Sequence, residues 1–411
     1  MSTFATMVRK SLARESDAAT ELGVEPVAPE QVEEVLADPI SADIQTEVVA
    51  EATDAEVGTA EMETAAATAD ELGDTAETLE AATADGGEGV DEAAAQMAVA
   101  ALERCQRAYG IARKVSFAKE SFATKTGRKE LTLRLAREAD GASKTLWARV
   151  VETAQNLWAW LKNFVAGLFD KRKRLATRAE ALATKADEVI KSGAKPAADA
   201  KIGFSGPASV VGGQQVADPL KALDAVPSLV AGLEHAKTLV EATAKDASGV
   251  SDSTIDINPQ GVGNVALTLK FEGGRVTFNK EAGKATVEAK EISPLTADQV
   301  KQASAKAKAA LVALGKGEAE VKAAEKAVGG LIGKLKALAT GKETSTENKG
   351  GTDTKVAHQA ERSAILSKLR ATSSLTGTIA SVSLTVIDAS LTVAAKSLAA
   401  HKAPEKAKAK A

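Results

Sequence analysis

Acidic and basic residues are segregated along this chain, and the segregation limits what its front part can be. Residues 1–103 hold 25 Asp and Glu against three bases, Arg9, Lys10 and Arg14, a net of 3 − 25 = −22. Residues 104–411 hold 49 Lys and Arg against 31 Asp and Glu, a net of 49 − 31 = +18, so the overall −4 conceals a difference of about 40 charges. Such asymmetry suits an intramolecular mask, a segment that is later removed, or a solubilising tail.

The apolar fraction is 44%, but alanine supplies much of it and Phe, Trp and Tyr together reach only 3%. Alanine favours helix and buries little surface, so many helices and modest cores are expected. The fold class this predicts is mainly α with a small antiparallel β meander, behind a long disordered acidic N-terminal segment. One Cys and three His exclude a disulfide framework and a multi-Cys zinc site. His235, His358 and His401 have no partner at i, i+4 metal spacing, and Cys105 has no neighbour that marks a nucleophile. Gly329-Gly-Leu-Ile-Gly-Lys-Leu335 has the wrong spacing for a phosphate loop and a Leu where a hydroxyl must sit. With no catalytic signature, a non-enzyme without cofactor or metal is expected.

Along the chain, residues 1–14 have the makings of a short amphipathic helix or a frayed terminus, and 15–92 lack the apolar residues to offset their ordering entropy. We therefore divide the chain into an acidic, largely disordered 1–92 and a basic helical domain at 93–191. The domain's first helix starts near Asp91 and runs towards Gly110. A linker at 192–219 is rich in Gly, Pro and Ser, and an α+β domain spans 220–340. Within that domain Val265, Leu267, Leu269 and Phe271 alternate with polar or small residues. Glu272-Gly-Gly-Arg275 reads as a hairpin turn, Val276 and Phe278 continue the alternation, and Lys280-Glu-Ala-Gly283 reads as a second turn. Ile255 and Ile257 ahead, with Ala285, Val287 and Ala289 behind, complete a meander of three or four strands near 253–290. Helices are expected at 219–247, 296–315 and 317–340, then a polar linker at 341–354, a helical region at 355–402 and a basic tail at 403–411. Segment 375–395, with Asp388 as its only charge, reads as a buried bundle helix, although its Thr, Val and Ser content leaves strand open and its length suffices for a bilayer.

Two groups of residues are candidates for contacts. The basic stretch 111–137 and the run Lys171-Arg-Lys-Arg174 supply Arg113, Lys114, Arg128, Lys129, Lys171, Arg172, Lys173 and Arg174 as candidate partners of DNA phosphates or anionic lipid. Diffuse charge of this kind gives salt-dependent, sequence-independent binding, and no base-reading motif accompanies it. The second group is the aromatic helix 145–169, with Trp147, Trp158, Trp160 and Phe164 on its apolar stripe. Three readings stay open for that helix: the core of a hairpin packed on 175–191, a subunit contact, or a membrane-interface helix.

An acidic Ala/Glu-rich front leading into a basic helical body resembles the internal head (inner body or prohead core) proteins of large phiKZ-like tailed phages. The resemblance implies a precursor whose acidic propeptide is cut away after Glu in a small-x-Glu pattern. Ala101-Leu102-Glu103 offers that pattern where the charge changes sign, and Ala13-Arg-Glu15, Ala19-Thr-Glu21, Ala69-Asp-Glu71, Gly86-Gly-Glu88, Ala118-Lys-Glu120 and Ala136-Arg-Glu138 also fit. It further implies a structural protein made in the host cytoplasm and located inside the virion head. Its partners would be other head proteins, a prohead protease and, non-specifically, packaged DNA. The competing reading is a membrane-active or ejected protein acting through 145–174. The oligomeric state is left open.

Overall fold

The computed structural model describes residues 42–84, 87–110, 122–197, 199–204, 219–245, 253–257, 265–272, 275–282, 290–323, 325–340 and 351–402. Seven helices and seven short strands lie among the described residues. In chain order they are α1 Ala42–Ala81, α2 Glu92–Tyr109, α3 Lys125–Ser192, β1 Lys195–Pro196, β2 Ile202–Phe204, α4 Pro219–Lys245, β3 Ser253–Ile257, β4 Val265–Glu272, β5 Arg275–Ala282, β6 Lys290–Ile292, α5 Ala297–Ala323, α6 Glu325–Thr340, α7 Gly351–Ala399 and β7 His401–Lys402. The protein is mainly helical with a small antiparallel sheet, as its composition leads one to expect. It divides into two compact units. The first takes the described parts of Met1–Glu56, Ala159–Val328 and Ser367–Ala411; the second takes Val57–Trp158 and Gly329–Leu366.

In the first unit the core is read off two stripes with steps of three and four residues. On α3 the stripe is Leu161, Phe164, Leu168, Leu175, Ala179 and Leu182; on α5 it is Val300, Ala303, Ala307, Leu311, Leu314 and Val321. Leu223, Val226, Leu229 and Leu233 of α4 are buried as well. Segment 375–395 is helix, not strand, and its residues are buried nearly all round, including Leu375, Ile379, Val386, Ile387 and Leu391. The stretch His358–Ala399 has the length and hydropathy of a membrane-crossing helix, yet 83% of its apolar window is buried inside the protein.

Three boundaries differ from the sequence reading. The expected hairpin between 145–169 and 175–191 does not exist, because α3 runs unbroken for 68 residues. The helix continues through Lys171–Arg174, because lysine and arginine are good helix formers and nothing there stops it. Gly315 and Gly317 were expected to separate two helices, yet both lie inside α5. Their role is close approach: a Cβ at 317 would stand 2.6 Å from Leu233 Cδ1 and 2.8 Å from Val230 Cγ1, and one at 315 would collide with the Arg172 guanidinium. α5 runs on to Ala323, and Gly351–Thr354, expected as linker, already belong to α7.

The meander is present as the antiparallel order β3-β4-β5. Ile255 pairs with Leu269, Ile257 with Leu267, Phe271 with Val276 and Glu272 with Arg275, the last being the register that a two-residue connection imposes. One face is buried through Leu267, Leu269, Phe271 and Val276, while Lys270 and Thr277 of the other face are exposed. The Val276 N–H donates to Ser367 Oγ of α7 at 3.2 Å, so a helix covers this sheet. β5 continues through Lys280–Ala282, where a turn was expected, and the expected strand at 285–289 lies outside the described residues. The expected linker 192–219 contributes β1 and β2, which pair antiparallel with β7 and β6; residues 205–218 lie outside the description.

In the second unit α2 is capped as its sequence indicates. Asp91 accepts from the Ala94 N–H at 2.8 Å, and Gly110 ends the helix at φ 63°. The larger finding is α1. Residues 1–41 lie outside the description, but 42–81, expected to be disordered, form a helix of 40 residues. Met62, Ala69, Leu72 and Leu79 of that helix are buried, and Ser143 Oγ of α3 donates to the Ala69 carbonyl at 2.7 Å. Composition excludes order for such a segment on its own; here the rest of the chain supplies the surface it lacks.

Replacing Gly317 with Ala tests the close approach of α5 to α4. Helix propensity alone would stabilise an exposed site by about 1 kcal/mol, whereas overpacking against Leu233 and Val230 costs about 1–3 kcal/mol. The expected result is a lower melting temperature for G317A; an increase would show that the two helices are not held at this distance.

Candidate functional site: contacts between acid and base

The residues singled out in the sequence fall into four places. Ala101 and Leu102 are buried on α2 and Glu103 is exposed, with Arg107 one turn on at 3.9 Å. A protease acting after Glu103 would have to unwind α2 first. Glu88 is placed differently. It lies in the non-helical connection between α1 and α2, its side chain 69% exposed, with Lys125 at 3.7 Å and Arg128 at 3.5 Å. Gly89, at φ 79°, sits so tightly on the backbone of Arg128 and Lys129 that a Cβ would clash there.

The basic residues do not form one surface. Arg113 and Lys114 lie outside the described residues. Arg128 holds the α1–α2 connection, donating from Nη1 to the Phe122 carbonyl at 3.1 Å and from Nε to the Glu88 carbonyl at 3.3 Å; Lys129 is half-buried. Of the run at 171–174, Lys173 and Arg174 are exposed and Lys171 is half-buried, but Arg172 is buried and is no contact for DNA or lipid. It stands four residues after Leu168 and three before Leu175, on the apolar stripe, and Glu318 holds the equivalent place on α5 between Leu314 and Val321.

Arg172 Nη1 meets Glu318 Oε2 at 2.6 Å, and its Nε donates to the Leu311 carbonyl at 3.2 Å. Burial pushes the Glu318 carboxyl above its ordinary range, against the pull of Arg172 and, less strongly, Lys322. Six residues along α3, buried Arg178 donates to Asp388 Oδ1 of α7 at 2.7 Å and to Thr392 Oγ1 at 3.2 Å. Exposed pairs surround these: Lys301–Asp187 at 2.7 Å, Lys306–Asp224 at 2.5 Å and Lys308–Glu180 at 3.4 Å. Arg178 and Glu318 escaped the sequence reading. The signal was there, since a charge on an apolar stripe position needs an opposite charge on a facing stripe.

The aromatic residues are core. Trp147 and Phe164 are buried, Trp160 nearly so, and Trp160 stacks on Phe164 with centroids 5.1 Å apart. Only Trp158 is partly exposed. The expected membrane or subunit contact through Trp147, Trp160 and Phe164 is therefore replaced by packing inside the protein.

The fourth place joins the acidic front to the body within the second unit. Asp70 of α1 pairs with Arg362 of α7 at 2.8 Å, and Glu71 with Arg104 of α2 at 3.4 Å. Arg362 lies 4.4 Å above the ring of Trp147. Burial lowers the Arg362 pKa, while Asp70 and Asp74 oppose it; a guanidinium keeps its charge there. Beside these contacts Cys105 is buried, and burial raises its thiol against the influence of Arg149, so it stays protonated.

Residues 42–233 match the family of phiKZ-like phage internal head proteins. That span is just under half of the chain, and over it the chain is similar to these internal head proteins. The matched span opens on the first residue of α1 and closes on Leu233, the last buried residue described on α4, so the acidic helix belongs to what the family shares. An internal head protein has a structural role within the virion head. No curated protein and no solved structure matches the chain.

Removing one member of a buried pair leaves a buried charge uncompensated, which costs about 3–5 kcal/mol. Urea denaturation of Arg178→Met should show a loss of this size, and adding Asp388→Leu should recover most of it. A double variant no more stable than the single one would show that this pair does not carry the charge balance of the core.

Proposed function

We propose that this chain is a non-catalytic internal head protein, that it associates with packaged DNA through phosphate contacts without sequence preference, and that its acidic front is cut away as the head matures. The observation that carries the reading is the separation of sign along a chain similar to this family. Residues 1–88 hold 22 acids and three bases, a net of 3 − 22 = −19, and residues 89–411 hold 49 bases and 34 acids, a net of 49 − 34 = +15. Among the small-x-Glu sites, Glu88 is itself non-helical and exposed, which supports a cut there in preference to Glu103, which lies on a helix. The protein left behind would carry exposed cations such as Lys173, Arg174, Lys191, Lys316 and Lys322 to meet DNA phosphates.

The membrane-active reading has less support. Its aromatic residues are packed inside, and the exposed large apolar residues among those described, Val57, Met97, Leu133, Ile190 and Val312, are scattered singly.

Intact mass and N-terminal sequencing of the protein from purified virions test the maturation. The expected start is Gly89; a full-length chain of 42.2 kDa would contradict it. A salt titration of duplex DNA binding by the virion-derived protein tests the contact. Affinity should fall steeply and linearly on a log–log scale, and a flat response would contradict phosphate binding.

A further inference from the structure

The hold of α1 on the second unit is thin. Among the buried apolar side chains of 57–81 only Met62, Leu72 and Leu79 are large; the rest are alanine, which buries little. The helix is also weak by itself. Thr64, Thr68, Thr75 and Thr78 each donate back to the carbonyl four residues earlier, a geometry that loosens a helix. Its 12 acids have no base among its 40 residues, and Asp70 and Asp74 repel one another at i, i+4. Against this stand two arginines from other helices, Arg362 and Arg104, which receive Asp70 and Glu71. The Arg362 guanidinium lies 4.4 Å over the Trp147 ring, a cation–π contact that holds it beside Asp70. An arginine fork accepts a phosphate in the same geometry as a carboxylate. The connection after α1 turns at Gly89, whose positive φ of 79° favours glycine.

We propose that residues 57–81 of α1 are an internal competitor, a strap whose Asp70, Glu71 and Asp74 occupy at Arg362 and Arg104 the place taken by phosphates of duplex DNA when the strap lifts. The inference rests on the DNA association proposed above and adds its location and its control. A polyanion competes with Asp70 and Glu71 for the same arginines, and cutting the connection at Glu88 turns a tethered competitor into one that diffuses away.

The test uses the full chain with Gly73→Cys and Ser143→Cys, in a Cys105→Ser background. A Cβ at 73 would stand 3.4 Å from Ser143 Oγ, so the two sulfurs meet and an oxidised strap is locked to α3. Binding of a fluorescein-labelled duplex of random sequence is followed by anisotropy. Oxidation should weaken binding about tenfold and reduction should restore it, a coupling of ordinary size. Asp70→Asn with Asp74→Asn should tighten binding more than Glu130→Gln with Glu152→Gln, which changes the charge equally away from the arginines, and this comparison decides if the cysteine variant does not fold. Equal binding by locked and unlocked protein, or by the two neutralised pairs, overturns the strap and leaves the DNA association standing. Absence of binding in every form, the neutralised strap included, overturns both.

Discussion

The contact on which the second unit depends is that of two arginines with an acidic helix. Taken alone, α1 has like charges on successive turns, threonines that loosen it and an alanine seam, and no isolated segment of this kind holds a helix in water. Arg362 changes the balance by receiving Asp70 in a largely buried pair, Arg104 adds an exposed contact with Glu71, and the Ser143 hydroxyl ties α3 to the middle of the same helix. The acidic front is thereby a part of the fold from Val57 onward. The matched family span, which begins at Ala42, agrees with that placement.

The first unit solves a related problem differently. Alanine-rich stripes pack in more than one register, because one alanine seam resembles another. Arg172 with Glu318 and Arg178 with Asp388 place two buried pairs along α3, one towards α5 and one towards α7, and a slip of one turn would leave all four charges without partners. Buried pairs of this sort contribute little net stability, so their use here is the choice of register. The glycines at 315 and 317 serve the same end by letting α5 come close to Arg172 and to α4.

Much of this was legible in the sequence. The period of two at 265–271 and the Gly-Gly connection located the β4–β5 hairpin, though not the end of β5, and Asp91 and Gly110 marked both ends of α2. The aromatic stripe was visible too, though its choice between core, interface and membrane needed the packing partners. Two things were hidden for physical reasons. Lys171-Arg-Lys-Arg174 reads as a surface cluster unless the stripe is traced through it, because burial of Arg172 is decided by Glu318, 146 residues away. The order of α1 was hidden because propensity and burial were judged within the segment, while its stabilisation comes from residues on α2, α3 and α7. Glu103, which marks the change of sign along the chain, lies on a helix whose neighbours are buried, whereas Glu88 lies between the end of α1 at Ala81 and the start of α2 at Glu92.

The acidic helix is folded, and it is folded because bases elsewhere in the chain compensate it. Amide hydrogen exchange over residues 57–81 in the full-length protein tests this most directly, with Arg104→Gln/Arg362→Gln as the comparison. Compensation of this kind predicts slow exchange at the buried turns around Met62, Ala69 and Leu72 in the native chain. It predicts loss of that protection in the variant while α5 keeps its own. Exchange at the rate of an unstructured chain across 57–81 of the native protein would contradict it.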